Sequence, residues 1–252
     1  MSQTIIVTGA TGKFGKILVK NFLKKGDHVV AIGRSIKKLN KLKIYKNTKK
    51  QNLILICVDL MEDNAIIRII KKIKELKLKP DSIINNARNI DYLQVSKNGR
   101  TSSTNFINEF KLGVIVPYQL IMSLVDAFPK RFRNVVNIGS IYGSVVPNAN
   151  LYKNFHKDSS LQYGVTKAAL QQLTKELSVR LAKNLVRVNC AAFGGVEGRV
   201  NQSFKKSYAK LCPSGRMLKD DEIFGPIEML ISNKASGVSG HVLMIDGGWT
   251  IW

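Results

Sequence analysis

At 252 residues, 44% of them hydrophobic, the chain has material for one large α/β domain or two small ones, each with a real core. No continuous apolar run reaches the roughly 20 residues of a membrane span, and the start of the chain lacks the blocks of a secretory signal. A net charge of +23 points toward anions: a phosphorylated cofactor, a nucleotide-linked substrate, an acidic carrier protein or nucleic acid. Lysine far outnumbers arginine, however, and the basic residues are scattered apart from a denser stretch between Lys37 and Lys50. The charge therefore reads as a solvated surface, and the expected partner is an anionic small molecule, a nucleotide or an acidic sugar, with neither nucleic acid nor membrane. Cys57, Cys190 and Cys212 are odd in number and show no metal spacing, as expected of reduced residues in a cytoplasmic protein.

In chain order, Ile5–Thr8 reads as a short buried strand and Phe14–Lys25 as a helix. Between them run Thr8, Gly9, Ala10, Thr11, Gly12, Lys13, Phe14 and Gly15. Glycines at a strand-to-helix turn permit positive φ and close backbone approach, and the helix start favours negative charge, so this is a cradle for a dinucleotide pyrophosphate. His28–Gly33 is a second strand, ending in Gly33-Arg34-Ser35. A carboxylate there would bind a ribose 2′-hydroxyl; Arg34, with Lys13 assisting, instead suits a 2′-phosphate, so the expected cofactor is NADP(H) rather than NAD(H).

Ser35–Leu42 reads as a basic helix, Leu53–Val58 as a strand, Ala65–Leu76 as a helix and Ser82–Asn85 as a strand. Asn105–Phe128 is a long helix containing Pro117, followed by a strand at Val135–Gly139. Tyr163–Lys183 is a second long helix, Val186–Ala191 a strand, Asp220–Ser232 a helix and Val242–Ile245 a last strand. Short apolar strands alternating with helices predict a single α/β domain of the Rossmann type. It is a doubly wound parallel sheet of about seven strands with helices on both faces.

On the helix beginning near Tyr163, the run Tyr163-Gly164-Val165-Thr166-Lys167 places a phenol and an ammonium on one face, since residues four apart are neighbours there. The same spacing recurs at Tyr45 and Lys49, in a polar lysine-rich loop with no serine on a preceding strand end. Only the Tyr163 copy follows a strand ending in serine, Ser140.

Taken together these features resemble the short-chain dehydrogenase/reductase family over nearly the whole chain. Asp59-Leu60 looks like that family's adenine-binding pair. Asn85-Asn86-Ala87 is similar to its Asn-Asn-Ala-Gly motif, with Arg88 in place of the glycine. Ser140, Tyr163 and Lys167 match its catalytic residues, Val188-Asn189 and Gly194 the segment after its sixth strand, and Asp246-Gly247-Gly248-Trp249 its usual ending. The resemblance implies a cofactor site that includes Thr8, Gly9, Gly12, Lys13, Phe14, Gly15, Arg34, Ser35, Asp59, Leu60, Asn86, Ala87, Tyr163, Lys167 and Val196. It also implies a homodimer or homotetramer through the two long helices.

Departures accompany the match. Lys13 stands where compact members have glycine, Phe193-Gly194 replaces Pro-Gly, and Gly198 lies where a threonine often touches the nicotinamide. The catalytic asparagine is replaced by Lys111 or Gly113, depending on register. The Ser140-to-Tyr163 segment is longer than usual. Its text, with Gly194 to Val200 and the Trp249…Trp252 ending, looks like a subgroup linked to surface-polysaccharide and flagellin-sugar biosynthesis.

By that resemblance Ser140 holds a carbonyl oxygen, Tyr163 exchanges its proton, and Lys167 with a cationic nicotinamide favours the phenolate. The expected reaction is ketone reduction on a sugar or nonulosonate precursor. Alternatives are 3-oxoacyl thioester reduction, or a non-catalytic nucleotide sensor or nucleic-acid binder on the same fold. Arg88, Arg100, Lys153, His156 and Arg199 are candidate anchors for a phosphate or carboxylate at the rim.

Overall fold

The computed structural model describes residues 2–45, 52–198 and 200–252; Arg199, Lys49 and part of the Lys37–Lys50 stretch lie outside the described residues. Runs of β-branched residues form the sheet: β1 (Thr4–Thr8), β2 (His28–Gly33), β3 (Leu53–Cys57), β4 (Ser82–Asn85), β5 (Asn134–Ser140), β6 (Arg187–Phe193) and β7 (Val242–Ile245). They pair in the order β3-β2-β1-β4-β5-β6-β7, every neighbour parallel. The chain winds outward one way through β3 and the other way from β4. The order thus reverses between β1 and β4, and a crevice opens there at the carboxyl ends of the strands.

Parallel strands need crossovers, and helices supply them on both faces. One face of the sheet (Ile6, Val30, Ile83, Val135) packs against α3 (Ala65–Glu75), α5 (Val116–Ala127) and α7 (Leu161–Arg180). The other (Ile5, Val7, Ala31, Val136) packs against α1 (Lys13–Lys24), α2 (Ile36–Asn40) and α9 (Phe224–Ile231). Successive side chains of a strand point to opposite faces, which is why these strands read as unbroken apolar runs.

Three expectations change. The helix expected over residues 105–128 is α4 (Ser103–Phe110), a π-helical turn (Lys111–Ile115) and α5, with Pro117 in α5's first turn. A proline cannot donate to the ladder behind it, and the wider turn lies just before it. The stretch Ser103–Ala127 has the length and a hydropathy of 1.4 that match a membrane span, yet Leu120, Ile121 and Leu124 are in the core. The basic helix expected over residues 35–42 is only α2, continued as a 3₁₀ turn at Lys41–Tyr45. The helix expected over residues 220–232 is a 3₁₀ turn at Asp220–Glu222 followed by α9. Two helices were not foreseen, α6 (Phe155–Asp158) and α8 (Gln202–Leu211).

Candidate active site

The turn after β1 is fixed by contacts that leave no room for side chains. Gly9 sits at φ +62°, and a Cβ there would meet the Ala87 Cα at 2.7 Å. A Cβ on Gly15 would come within 2.3 Å of the Gly9 carbonyl oxygen. Asn86 braces the loop from β4, its Nδ2 donating to the Thr8 carbonyl at 2.9 Å, while its backbone N–H donates to the Thr8 Oγ1 at 3.0 Å. Thr8 and Gly15 shape the turn from beneath, and neither lines the cleft itself.

The other expected cofactor residues, from Gly9 and Gly12 through Lys13, Phe14, Arg34, Ser35, Asp59, Leu60, Asn86, Ala87 and Val196, line one cleft of about 690 Å³. Lys38, on α2, also lines it. Among the described residues on this wall, the cations Lys13, Arg34, Lys38, Arg88 and Lys167 outnumber the carboxylates Asp59 and Asp158, which favours an anionic occupant. Arg34 donates to Asn89 Oδ1 at 3.4 Å, a weak hold that leaves its fork for a ligand. Lys13 lines the cleft with Arg34 and also has partners across it. It donates to the Glu197 carbonyl and pairs with Asp220 at 2.7 Å, bridging the glycine turn to the far wall.

Ser140, Tyr163 and Lys167 line the inner end of the same cleft. The Lys167 Nζ donates to the Ile138 carbonyl at 2.7 Å and lies 5.7 Å from the centre of the Tyr163 ring. The Ser140 Oγ accepts the Tyr142 N–H at 3.2 Å, so it also caps the turn that follows β5. Gln171 on α7 donates to the Ser140 carbonyl at 3.1 Å and accepts from Ser144 at 2.9 Å, clamping strand end to helix. Deeper, Asn85 donates to Asn137 at 2.8 Å, and Asn137 donates to Thr174 at 2.9 Å. This buried polar chain ties β4, β5 and α7 together.

The long segment after Ser140 folds back as a wall of aromatic side chains. The Tyr142 and Tyr152 hydroxyls meet at 3.3 Å, and Tyr152 packs edge-on against Phe204 of α8 at 5.9 Å. Tyr208 of α8 accepts the Gly195 N–H at 2.9 Å and stacks on Trp249 at 4.3 Å. Burial pushes Tyr208 up to about 12 and raises Tyr142 further, so both stay neutral phenols. Among the described residues expected as rim anchors, Arg88 lines the cleft and Arg100, Lys153 and His156 do not.

The π turn occupies the region where the family's asparagine was sought. Lys111 reaches away to the Met61 carbonyl and Asp63, and Gly113 lies where a Cβ would meet Thr166 at 2.4 Å. One turn earlier, Glu109 is 3% exposed, and burial raises its carboxyl above the ordinary range against the pull of Lys167 and Arg88. Glu109 and Gln171 are not marked by any motif in the sequence. Their signal is only that they fall on helix faces turned toward Ser140 and Lys167.

The family profile described as short chain dehydrogenase matches residues 3–209. The chain belongs to the short-chain dehydrogenase/reductase family. It is 31% identical to the post-translational flagellin modification protein A of Campylobacter coli, over 98% of each chain. It is 25% identical to a 3-oxoacyl-[acyl-carrier-protein] reductase of Rickettsia typhi, over 98% of this chain and 96% of that one. A short-chain dehydrogenase of Leptospira borgpetersenii, solved with bound NAD+, superposes with a TM-score of 0.87 at 24% identity, covering 100% of this chain and 94% of the other. Membership makes the chain a nicotinamide-dependent oxidoreductase by family, and the architecture is the seven-stranded Rossmann-type fold that the sequence predicts.

Proposed function

We propose that this protein is an NADP(H)-dependent oxidoreductase that interconverts a ketone and a secondary alcohol on an anionic, sugar-derived substrate. The observation that carries the reading is that Ser140, Tyr163 and Lys167 share one cleft with the braced glycine turn. The turn fits a dinucleotide, since side chains at Gly9 and Gly15 would strike backbone. Gly9, Gly12 and Phe14 would hold the pyrophosphate, Asp59 and Leu60 the adenine end, and Arg34 with Lys38 a 2′-phosphate.

A bound nicotinamide would supply or accept the hydride. Ser140 then holds the carbonyl oxygen, and Tyr163 gives that oxygen a proton, or takes it back from the alcohol in the reverse direction. Lys167, anchored on the Ile138 carbonyl, holds its side-chain nitrogen near the phenol. The wall of Tyr142, Tyr152 and Phe204 suits the C–H face of a sugar ring, and the likeness to a flagellin modification protein supports the same substrate class. We place the enzyme in the cytoplasm as a homodimer or homotetramer; exposed Tyr118 on α5 and Leu161 and Val165 on α7 supply apolar surface for a second copy.

The deciding experiment is a fluorescence titration with NADPH and NADH, for wild type and Arg34→Ala. Two charge-assisted hydrogen bonds lost from a phosphate should weaken NADPH about 10- to 100-fold and leave NADH unchanged. Equal binding of both cofactors would overturn the NADP(H) assignment, and binding of neither would overturn the oxidoreductase reading.

A further inference from the structure

Arg88 stands at the end of β4, where the family motif that this chain otherwise follows carries glycine. Its guanidinium carbon lies 4.5 Å from the centre of the Tyr163 ring, while the Lys167 ammonium lies 5.7 Å from the same centre. Two cations therefore border one phenol, one from the loop after β4 and one from α7 itself. Both residues line the cleft. The carboxylate of α4, Glu109, is buried and close enough to both cations to attract them. Tyr142, from the turn after β5, also interacts with Tyr163, and burial holds it well above the ordinary phenol range.

A guanidinium over an aromatic face is held by the ring's quadrupole, and this contact orients the ring as well as the arginine. Its charge also favours the anionic form of the phenol, whereas a nearby carboxylate opposes it. We propose that Arg88 and Glu109 are positioning residues for Tyr163. Arg88 fixes the ring face and favours the phenolate, and Glu109, whose carboxyl is drawn on by both Lys167 and Arg88, sets how much of that positive field the phenol receives. This rests on the reading of Tyr163 as the proton-exchanging group. It assigns work to a residue type that the family motif does not provide, in a chain whose π turn leaves Lys111 directed elsewhere.

The test reads the phenol itself in the purified protein without cofactor, by the ultraviolet absorbance of tyrosinate. Subtracting a Tyr163→Phe background isolates residue 163. Arg88→Met keeps the apolar stem and drops the charge, and should move phenolate formation up by about one pH unit. Arg88→Lys should restore most of that shift. Glu109→Gln, which removes the opposing charge, should move it down. An Arg88→Met curve that superposes on wild type, or shifts of the same sign in Arg88→Met and Glu109→Gln, would overturn the proposal. Equal melting temperatures show that a shift is not loss of fold, and if Arg88→Met fails to fold, the Glu109→Gln direction still decides. Failure of the oxidoreductase reading appears separately, as absence of cofactor binding, and leaves this titration readable.

Discussion

A hydroxyl that can take and return a proton is one atom, and its neighbours decide whether it does. Tyr163→Phe removes only that atom, leaving the ring against Arg88 and the α7 packing. General acid–base groups contribute about 10²- to 10⁴-fold, so kcat should fall within that range while the dissociation constant for NADPH changes less than about twofold. Stopped-flow turnover together with the cofactor titration checks both halves, and a variant that retains full kcat refutes the role. At this scale the sequence was legible wherever chemistry depends on residue type at fixed spacing, as for Tyr163 and Lys167 on one helix face. It was illegible where burial creates the property. Glu109 reads as an ordinary polar residue in Asn108-Glu109-Phe110, and only the packing of α4 turns it into a carboxyl in a low-dielectric site. Lys13 is a similar case, because its partners Glu197 and Asp220 are distant in sequence.

Among elements, the start of α1 shows the tightest constraint. Gly15→Ala would place a methyl group 2.3 Å from the Gly9 carbonyl oxygen and 2.6 Å from the Ala10 Cα, both backbone. The loop must move, at an overpacking cost of about 1–3 kcal/mol, with weakened binding of both cofactors. Thermal unfolding and the fluorescence titration measure the two effects, and unchanged values in both would show that the turn is looser than its contacts imply. The strands at His28–Gly33, Ser82–Asn85 and Val242–Ile245 have the bounds that their apolar runs predict. Helix α8 was missed although Asn201 caps it, accepting the Phe204 N–H at 2.9 Å, and Phe204, Tyr208 and Leu211 recur at helical spacing. Its apolar face is short and flanked by glycine, and it becomes a helix with a purpose only when Tyr208 stacks on Trp249. The π turn was equally hidden, and so was the close approach of its Gly113 to Thr166 of α7.

For the whole molecule, the proposed assembly with a second copy points to exposed apolar side chains. Tyr118 is 45% exposed, Leu161 65% and Val179 78%, on helices that also carry core residues. Stable dimers bury roughly 1,600 Å² in total, an area that a pair of helices per subunit can supply. Light scattering on the purified protein should give a dimer or tetramer mass, and Tyr118→Asp with Val179→Asp should lower it. A wild-type monomer at micromolar concentration would refute the assembly. The charge of +23 was legible in magnitude, and so was the grouping of Lys13, Arg34, Arg88 and Lys167 around one cleft; Lys38 joins them only through the winding of the sheet.

The polar thread from Asn85 through Asn137 to Thr174 acts as a vernier for this architecture. Apolar surfaces tolerate sliding by a fraction of an ångström, since dispersion and burial vary smoothly with displacement. Hydrogen bonds do not, because their donors and acceptors fail together once angles and distances drift. Threading three of them through an otherwise oily interior indexes the strand that ends in Ser140 against the helix that carries Tyr163. The fold could be built without that thread; the two oxygens proposed to act on the substrate could not be kept in step.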